Sequence, residues 1–401
     1  MNNNFIKLAI ISPGFMPVPA VKGGAVEQII TCILEENEKD HKFNIDVYTL
    51  DDSRLSDYSY KYTKLIKIKN KQKNLFFKVY FGLKNRICKL LGGKNWYYLM
   101  DKSMAKMYKS NYYDVVLFEN NMNSFHYILP KLTTEKRYFH LHNDFNNDDK
   151  AKSLFKTKEV IKNANGMITV SNVLKEKLKY YGAKNVTTVY NPDLIKSNIR
   201  ISNEHASKIR QKYGFDKKDI IVTYIGRLDK SKGPLELLKA MSEVKNPRVK
   251  CLIVGKFWLG SSDGRMYSKK IQEYISELGD KVKISGYVKH SKINEIYAIS
   301  DIVVIPTQIE EAFGMVALEA VRSKVPVIAS DSGALPEILG AKDCIIKRNG
   351  EFVCNLAKEI DRLASDRILR KKVIAVNFKY SQRYLVSRKK YFEEISKVIQ
   401  G

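Results

Sequence analysis

The 401-residue sequence predicts an α/β protein built from two doubly wound, Rossmann-like domains. Three observations support this prediction. Short apolar runs alternate with helical patterns along most of the chain, which is typical of parallel sheets covered by helices. The length exceeds what one core holds, since single cores stop growing at about 250–300 residues. A polar, irregular stretch over residues 193–218 divides the runs into two sets.

The first set of predicted strands covers residues 7–12, 44–50, 114–120, 137–144, 166–171 and 185–192. The first strand leads into a Pro/Gly-rich loop with Gly23 and Gly24, and a helical pattern begins near Ala25. Amide groups at a helix N-terminus bind anions, and glycines let the backbone approach them closely. This turn is therefore a candidate phosphate site, with an ordinary strand-to-helix turn as the alternative.

Two histidines lie near the end of the predicted strand 137–144. His140 and His142 alternate along the strand and therefore point to the same face. His142 lies nearer the carboxyl end and is followed by turn residues, and open α/β sheets bind ligands at that edge. We predict a functional role for His142, with a purely structural strand histidine as the alternative.

A strongly basic segment covers residues 61–110, where cations are interleaved with aromatic and aliphatic side chains and the only acid is Asp101. This pattern predicts a membrane-surface helix, because cations meet anionic headgroups while rings enter the interface. A solvated helix packed on its own domain is the alternative. No RNP-like, zinc-finger or helix-turn-helix pattern accompanies the charge, so we predict no specific nucleic-acid partner.

The second set of predicted strands covers residues 219–226, 250–255, 281–288, 301–307 and 325–330. The first of them ends in GRLDKSKG. Arg227 and Lys232 therefore follow a strand's carboxyl end, where two cations can neutralise a diphosphate. Exposed loop cations without a ligand are the alternative. The chain closes with a pattern that predicts one long helix over residues 377–399.

The stretch between the last two strands carries Glu311 and Glu319 in an E-x7-E pattern. In a βαβ crossover Glu311 lies in the loop at the strand's carboxyl end and Glu319 lies on the helix. Apolar neighbours surround Glu319 in the sequence, so its carboxylate needs a hydrogen-bonding partner, which a ribose diol would supply. The alternative is a pair of solvated glutamates.

Composition narrows the partners and the compartment. The formal net charge of +27 indicates an anionic partner, such as a phosphorylated metabolite, an anionic membrane or nucleic acid. The five cysteines are scattered without a C-x-x-C pattern, which argues against a disulfide framework or zinc site and favours a reducing cytoplasm. No stretch approaches the roughly 20 apolar residues of a membrane-spanning helix. We therefore expect a soluble or peripheral protein.

Taken together and in this order, the motifs resemble those of the retaining GT-B glycosyltransferases of family 4, almost from end to end. The resemblance implies two Rossmann-like domains facing across a cleft. Residues 1–195, with the basic segment, would bind the acceptor, and residues 196–375 would bind a nucleotide-sugar. The last helix, within residues 376–401, would pack back on the first domain.

The resemblance also implies the role of each motif. The donor diphosphate would be held by Gly23, Gly24, Arg227, Lys232, Gly314 and Met315. Glu319 would bind the ribose, and the transferred sugar would contact Glu311, Phe313 and Gly314. Tyr287 and Val288 would lie near the base, and the catalytic set would be His142, Glu311, Arg227 and Lys232. The turn KFWLGSSDG, at residues 256–264, departs from the plain glycine-rich loop of the family.

The activity implied is a retaining transfer of a hexose or N-acetylhexosamine from a nucleotide-sugar, with a UDP-sugar preferred. The acceptor would be a saccharide, lipid-linked, in cell-surface polysaccharide assembly at the inner face of the cell membrane. No aspartates stand in the D-x-D spacing that holds metal in the other major fold, so we predict no metal and no cofactor. Alternatives are a GDP-mannose-dependent mannosyltransferase, an epimerase of the same fold, and a non-catalytic basic membrane-binding protein.

Overall fold

The computed structural model describes residues 5–69, 79, 83, 99–145, 150–194, 201–257 and 264–401. The chain divides into two compact units. Unit 1 contains residues 1–194 and 386–401, and unit 2 contains residues 195–385. Each unit has one parallel sheet with helices between its strands, which confirms the predicted pair of Rossmann-like folds.

The sheet of unit 1 has seven strands in the order β3-β2-β1-β4-β5-β6-β7. The strands are β1 (Ile6–Ile11), β2 (Phe43–Leu50), β3 (Thr63–Ile68), β4 (Val115–Glu119), β5 (Lys136–Leu141), β6 (Gly166–Thr169) and β7 (Val186–Thr188). All pairs are parallel. The order reverses between β1 and β4, so the loops after these two strands leave toward opposite faces and open a crevice.

Five described helices connect the strands of unit 1. They are α1 (Ala25–Asp40), α2 (Leu99–Met107), α3 (Met122–Ile128), α4 (Lys150–Asn163) and α5 (Asn172–Tyr180). Side chains cap two of them: Asn121 Oδ1 accepts from the Ser124 amide at 2.9 Å, and Ser171 Oγ accepts from the Leu174 amide. Such caps satisfy amide groups that a helix start leaves without partners.

The sheet of unit 2 has six strands in the order β10-β9-β8-β11-β12-β13. They are β8 (Ile220–Ile225), β9 (Val249–Val254), β10 (Val282–Gly286), β11 (Ile302–Ile305), β12 (Val327–Ser330) and β13 (Ile345–Ile346). Their apolar side chains pack against the helices in one buried core, which explains why the strands read as nearly continuous apolar runs. The order reverses between β8 and β11.

The helices of unit 2 follow its strands in the same alternating manner. They are α6 (Asn203–Lys212), α7 (Pro234–Glu243), α8 (Gly264–Leu278), α9 (Ile293–Ile299), α10 (Met315–Arg322), α11 (Leu335–Ile338), α12 (Phe352–Ser365) and α13 (Arg367–Ser381). The α7 and α12 helices pack against each other beside the sheet. Among the described residues, no helix combines the length and apolar character needed to cross a bilayer.

The single long terminal helix predicted over residues 377–399 is wrong. α13 ends at Ser381, and a separate helix, α14, covers Arg388–Gln400. Between them the chain forms a 3-10 turn, and Val386 makes a parallel β-bridge to Pro192. Ser387 then starts α14 by accepting a hydrogen bond from the Lys390 amide. The chain leaves unit 2 at this break, because α14 packs beside α1 in the core of unit 1.

The membrane-surface helix predicted over residues 61–110 is wrong in its first part. Thr63–Ile68 form β3, paired in parallel with β2. Three apolar or β-branched side chains of this strand are buried while Lys64 and Lys67 are exposed. The lysines obscured a strand pattern that the TKLIKI sequence carries. Residues 70–78, 80–82 and 84–98 of the segment lie outside the described residues.

Candidate functional site

Three of the residues predicted to hold the donor lie in unit 2 at the reversal of its strand order. Arg227 and Lys232 follow β8, and Glu311 follows β11. These two strands are neighbours in the sheet. Their loops leave its carboxyl edge in opposite directions, which is where open α/β sheets bind ligands.

Lys232 and Glu311 form an ion pair, with Nζ 2.6 Å from Oε2. The two side chains are 27% and 19% exposed, so the pair lies at the surface of the crevice. Asp229 fixes the lysine's turn because its carboxylate accepts hydrogen bonds from the amides of Ser231 and Lys232. A ligand anion that reaches this lysine must therefore compete with Glu311 for it.

Backbone contacts hold the two loops together. Gly233 has φ of 68° and begins α7, and a Cβ at this position would overlap the carbonyl oxygen of Pro306. The Ser231 carbonyl accepts hydrogen bonds from the Gln308 amide at 2.8 Å and from Thr307 Oγ1 at 2.9 Å. Only glycine permits this close approach. The fold therefore fixes the position of Lys232 relative to the β11 loop.

Arg227 is the more exposed of the two predicted cations. Its Nε lies 3.3 Å from Asp229 Oδ2, and 51% of its side chain is accessible to solvent. The Tyr224 hydroxyl donates to the Arg227 carbonyl at 2.6 Å, which fixes the backbone but not the guanidinium. The guanidinium can therefore reach a ligand by moving only its own side chain.

The loop after β11 ends in the N-terminus of α10. Gly314, with φ of 101°, begins the helix, and no side chain caps it. Phe313 is 3% exposed, so it can contact a ligand through its backbone only. Arg348, which was not predicted as a site residue, connects this loop to the turn after β12. Its guanidinium donates to Glu310 Oε1 at 2.6 Å and to Asp331 Oδ1 at 3.1 Å. Free amides at a helix start stabilise negative charge.

Glu319 lies on α10 and has two partners within the protein. Its carboxylate accepts from the Tyr297 hydroxyl at 2.9 Å and lies 3.2 Å from His290 Nε2. This hydrogen bond raises the pKa of His290. The sequence predicts a ribose as the hydrogen-bonding partner of this carboxylate. In the structure the protein itself supplies two partners, Tyr297 and His290. A carboxylate has about four acceptor sites, so others remain for a ligand.

The residues predicted near the base lie at the end of β10. Tyr287 is 54% exposed, and Lys256 Nζ lies 5.1 Å from the centre of its ring. Val288 is partly exposed. A cation held over an aromatic ring is a stabilising contact that a planar ligand would have to share or displace.

Unit 1 has its own pocket at the reversal between β1 and β4, with a volume of about 280 Å³. It is lined by the loops after β1, β4 and β5 together with side chains from α2 and α4. The polar groups of its wall are mostly amides and carboxylates: Asp101, Asn120, Asn121, Asn123, Asn143 and Asp144. Phe15, which is 83% exposed, and Phe145 supply aromatic surface. The sequence predicted none of them as a site residue.

The polar groups of this pocket are held in place by other side chains. Asn121 Nδ2 donates to the Ser12 carbonyl at 3.0 Å, which joins the β4 loop to β1. Asp101 accepts from Ser124 Oγ at 2.7 Å, and burial raises the pKa of Asp101. Lys177 Nζ lies 2.6 Å from both oxygens of Asp144. The wall therefore presents hydrogen-bonding groups in fixed positions.

His140 and His142 share one face of the sheet, as predicted, and both approach the carboxylate of Glu119. His142 Nε2 lies 2.6 Å and His140 Nδ1 3.1 Å from Glu119 Oε2. The side chain of His142 is 2% exposed. Its neighbour Glu119 was missed, although a glutamate ending an otherwise apolar strand is a signal that sequence analysis can use.

Burial determines the charges in this cluster. Burial, aided by His140, lowers the pKa of His142 to about 4 against the opposing effect of Glu119. Burial alone would raise the pKa of Glu119, but the two imidazoles outweigh it and lower that pKa to about 2. Near neutral pH, His142 is therefore neutral and donates through Nε2 to an ionised Glu119. Its Nδ1 has no hydrogen-bond partner among the described residues.

Glu119, His140 and His142 are also a possible set of metal ligands, since their candidate atoms lie within 4.8 Å of one another. The 2.6 Å distance between His142 Nε2 and Glu119 Oε2 is that of a short hydrogen bond. The arrangement in this structure is therefore that of a hydrogen-bonded cluster.

The predicted anion site at Gly23 and Gly24 already contains a carboxyl group of the protein. Both glycines have positive φ, and Gly24 begins α1. A Cβ on Gly24 would overlap the carboxylate of Glu27, which folds back over the start of the helix. Burial raises the pKa of Glu27 to about 7. A bound phosphate would lie beside this group, so a protonated Glu27 would favour its binding.

Comparison with known proteins supports one class of protein, the glycosyltransferases. Residues 206–379, which lie in unit 2, match the family described as Glycosyl transferases group 1. Together with the two parallel-sheet units, this match supports a glycosyltransferase with the GT-B fold. The match covers the strands and loops that carry Arg227, Lys232, Glu311 and Glu319.

Individual relatives extend the comparison to the whole chain. Spore coat protein SA of Bacillus subtilis (strain 168) is 25% identical over 396 residues, which cover 94% of each chain. Lipopolysaccharide 1,2-N-acetylglucosaminetransferase of Salmonella typhimurium is 26% identical over 232 residues, or 56% of each chain. That second match spans about half of the relative's length.

Solved structures share the fold at low sequence identity. The crystal structure of Anabaena Alr3699/HepE in complex with UDP and glucose superposes with a TM-score of 0.71 at 17% identity, over 99% of this chain and all of that one. Sucrose-phosphate synthase from Thermosynechococcus elongatus has a TM-score of 0.73 at 18% identity, over 98% of each chain.

Proposed function

We propose that the protein is a retaining glycosyltransferase that moves a hexose or N-acetylhexosamine from a UDP-sugar to a saccharide acceptor. The observation that carries this proposal is the Lys232–Glu311 pair, which spans the reversal of strand order in unit 2. A cation and a carboxylate placed together at this edge suit the two parts of a nucleotide-sugar. The lysine attracts the diphosphate, and the carboxylate accepts hydrogen bonds from sugar hydroxyls.

The proposed roles in unit 2 follow from charge and exposure. Arg227 and Lys232 neutralise the diphosphate, and the start of α10 at Gly314 and Met315 adds amide donors. Glu319 binds the ribose through its remaining acceptor sites. Tyr287 and Val288 lie beside the base. The preference for UDP is supported by the neighbour solved with UDP and glucose.

The pocket of unit 1 is the proposed acceptor site. Its fixed amides and carboxylates suit the donors and acceptors of a saccharide, and its two phenylalanine rings suit the apolar faces of sugar rings. In the same unit, we propose that His142 contacts the transferred sugar. Gly23 and Gly24 would contact the diphosphate. A neutral imidazole is suited to hydrogen bonding with a hydroxyl rather than to binding an anion.

The chemistry we propose needs no metal and no enzyme nucleophile. The leaving nucleoside diphosphate gains negative charge as the glycosidic bond breaks, and Arg227, Lys232 and the helix start stabilise it. The acceptor hydroxyl attacks from the same face, and its proton passes to the leaving phosphate. The sugar carbon thus exchanges one oxygen for another with retention of configuration.

The acceptor is proposed to be lipid-linked and the protein to act at the inner face of the cell membrane. Two observations support this assignment: the basic residues that follow β3 within the segment 61–110, and a relative named Lipopolysaccharide 1,2-N-acetylglucosaminetransferase. Replacing Lys71, Lys73 and Lys78 with glutamate is expected to abolish binding to anionic vesicles. Unchanged vesicle binding by this variant would contradict the membrane assignment.

The decisive experiment is a thermal-shift screen with UDP, GDP, ADP and their sugars, with EDTA present and the bound metal content of the protein measured. A UDP-sugar is expected to raise the melting temperature by mass action. Arg227→Ala and Glu319→Ala should lose this shift, while the exposed Lys371→Ala should keep it. Stabilisation by GDP-mannose instead favours the mannosyltransferase. A shift with none of the nucleotides favours the non-catalytic membrane-binding protein.

Product analysis tests the stereochemistry and the metal independence. After incubation with the preferred donor, NMR should show that the transferred sugar has the same anomeric configuration in the product as in the donor. Transfer should persist after chelation and removal of metal. An inverted product, or activity that returns only when a divalent cation is added, would refute the corresponding part of the proposal.

A further inference from the structure

Unit 1 contains a second cavity at the edge of its sheet where the strands begin. Its volume is about 510 Å³, and its wall is formed by Lys7 on β1, residues 44–46 on β2, residues 63–65 and Lys67 on β3, and the connecting residues 55, 58–62 and 112–113. No residue lines both this cavity and the proposed acceptor pocket. The cavity is therefore separate from the proposed acceptor pocket.

The wall of this cavity is positively charged. It contains Lys7, Lys61, Lys64 and Lys67. Lys64 and Lys67 are exposed on β3, and no described acid pairs with either of them. Asp46 is the acidic residue among those that line the cavity. It is paired with Lys109, which does not line the cavity and whose Nζ lies 3.0 Å from Asp46 Oδ2.

Aromatic rings hold two of these lysines near the cavity. Lys7 Nζ lies 4.7 Å from the ring centre of Tyr112, and Lys61 Nζ lies 4.9 Å from that of Tyr62. Such contacts position a cation without neutralising it, because the ring carries no net charge. Lys7 therefore remains available to an anion, whereas Lys61 is also attracted by the carboxylate of Glu38.

Tyr58 supplies a different surface. Its side chain is 37% exposed and leans on Tyr60, with ring centres 6.1 Å apart. No described cation lies over its ring. An exposed tyrosine offers both an apolar face and a hydroxyl, which suits the C–H face and hydroxyl groups of a sugar ring.

We propose that this cavity binds an acidic saccharide, whose sugar rings carry carboxylate, sulfate or phosphate groups. Its volume falls in the range of about 300–1,000 Å³ typical of sites for small ligands. A bilayer surface is a poorer fit, because the cavity is concave and its exposed ring is a tyrosine. A nucleic-acid duplex is a poorer fit because it requires an extended basic surface.

The site stands on unit 1 alone, so its existence does not depend on glycosyl transfer. One consequence does rest on the proposed function. An acidic saccharide long enough to reach both the cavity and the acceptor pocket would have a raised effective concentration at the second site. The protein would then retain a growing acidic chain between additions.

The test is calorimetric binding of tetragalacturonate, with cellotetraose as the uncharged saccharide of equal length and no nucleotide present. Wild type is expected to bind the acidic tetramer only. Lys64→Gln combined with Lys67→Gln should raise its dissociation constant about tenfold or more, because two charge-assisted contacts are lost. Tyr58→Ala should weaken binding without a change of charge. Melting curves confirm that each variant is folded.

The matched control is Lys371→Gln combined with Lys372→Gln, which removes the same charge from an exposed helix of unit 2. It should bind as wild type does. Equal loss in both double variants, or equal binding of the two tetramers, would overturn the proposal. Lys232→Met should keep saccharide binding, so a failure of the proposed transfer and a failure of this site give different results.

Two further ligands separate the sources of negative charge. Phosphatidylglycerol vesicles and a DNA duplex are titrated under the same conditions. Their binding should not change in the Lys64→Gln/Lys67→Gln variant. If that variant loses vesicle or duplex binding while wild type ignores tetragalacturonate, the cavity serves another anion and the proposal is wrong.

Discussion

Lys232 and Glu311 stand 79 positions apart in the sequence, yet Nζ and Oε2 lie 2.6 Å from each other. The contact follows from topology, because β8 and β11 are adjacent strands and each residue lies in the loop after one of them. In the absence of ligand the pair neutralises the lysine. The carboxylate therefore competes with any anion that binds this lysine.

This relationship predicts opposite effects of two substitutions on nucleotide binding. Lys232→Met should weaken UDP binding by about tenfold or more, because a charge-assisted contact is lost and Glu311 is left unpaired. Glu311→Gln should leave UDP binding unchanged or tighter, because the lysine is released, but it should impair sugar transfer. Calorimetry with UDP and turnover with the preferred UDP-sugar measure the two effects.

Lys230→Met is the control for the first substitution, since Lys230 is exposed in the same turn. It should change UDP binding little. Equal losses from Lys230→Met and Lys232→Met would mean that the turn attracts UDP only through its general charge. Weaker UDP binding in Glu311→Gln would mean that the carboxylate holds the lysine in its binding position.

The second prediction concerns the glycine that brings these loops together. Gly233→Ala places a Cβ against the Pro306 carbonyl in a backbone with φ of 68°. We expect a loss of unfolding free energy on the order of 3 kcal/mol, since neither the backbone nor the carbonyl can move cheaply. Chemical denaturation measures it.

Gly279→Ala separates strain from overlap. Gly279 has φ of 50° in the same unit, and no described atom lies within 4 Å of the point that its Cβ would occupy. This variant should lose only the cost of the left-handed backbone, about 1–2 kcal/mol. If both variants lose the same free energy, contact with Pro306 is not what requires glycine at position 233.

The sequence predicted much of the fold because strand signals are local. The runs that became β1 and β11 are almost wholly apolar, and turn residues follow each of them. Those turns placed Lys232 and Glu311 at strand ends without knowledge of the strand order. β3 was missed because Lys64 and Lys67 interrupt its apolar pattern in a segment that is basic throughout.

Partners across strands could not be predicted, because they depend on the order of strands in the sheet. Glu119 lies opposite His140 in the register of β4 with β5, and this pairing creates the buried cluster. Tyr297 reaches Glu319 from another helix. Neither contact follows a fixed spacing in the sequence. The break before α14 had a local signal in Ser387, but the helical pattern on both sides obscured it.

The third prediction concerns pH. Burial raises the pKa of Glu27 from 4.5 to about 7. Between these values the folded state binds more protons than the unfolded state, so this group lowers stability as pH rises from 4.5 to 7 and has a constant effect above 7. Glu27→Gln should therefore be more stable than wild type at pH 8, on the order of 2–3 kcal/mol, and equal to it near pH 4.

The measurement is the difference in unfolding free energy between the two proteins across pH, so that other titrating groups cancel. Glu176→Gln serves as the control, because the Glu176 side chain is 67% exposed. It should show no such dependence. A difference for Glu27→Gln that is constant with pH would show that the carboxyl group does not titrate in this range.

The last prediction concerns the charge inside unit 1. Glu119 is fully buried and accepts a hydrogen bond from His142 at 2.6 Å. Glu119→Gln replaces the carboxylate with a neutral amide. The amide oxygen can still accept the hydrogen bond from His142, but the amide N–H groups have no acceptor in that imidazole. We expect a loss of about 1–3 kcal/mol of unfolding free energy, since a buried amide without an acceptor keeps its desolvation cost. The pKa of His142 should fall further below about 4, because the carboxylate is the one partner that raises it. NMR titration of the His142 ring protons measures this shift. A rise of the His142 pKa toward its ordinary value would contradict the prediction. It would mean that loosened packing lets water reach the imidazole, so that burial no longer controls its charge.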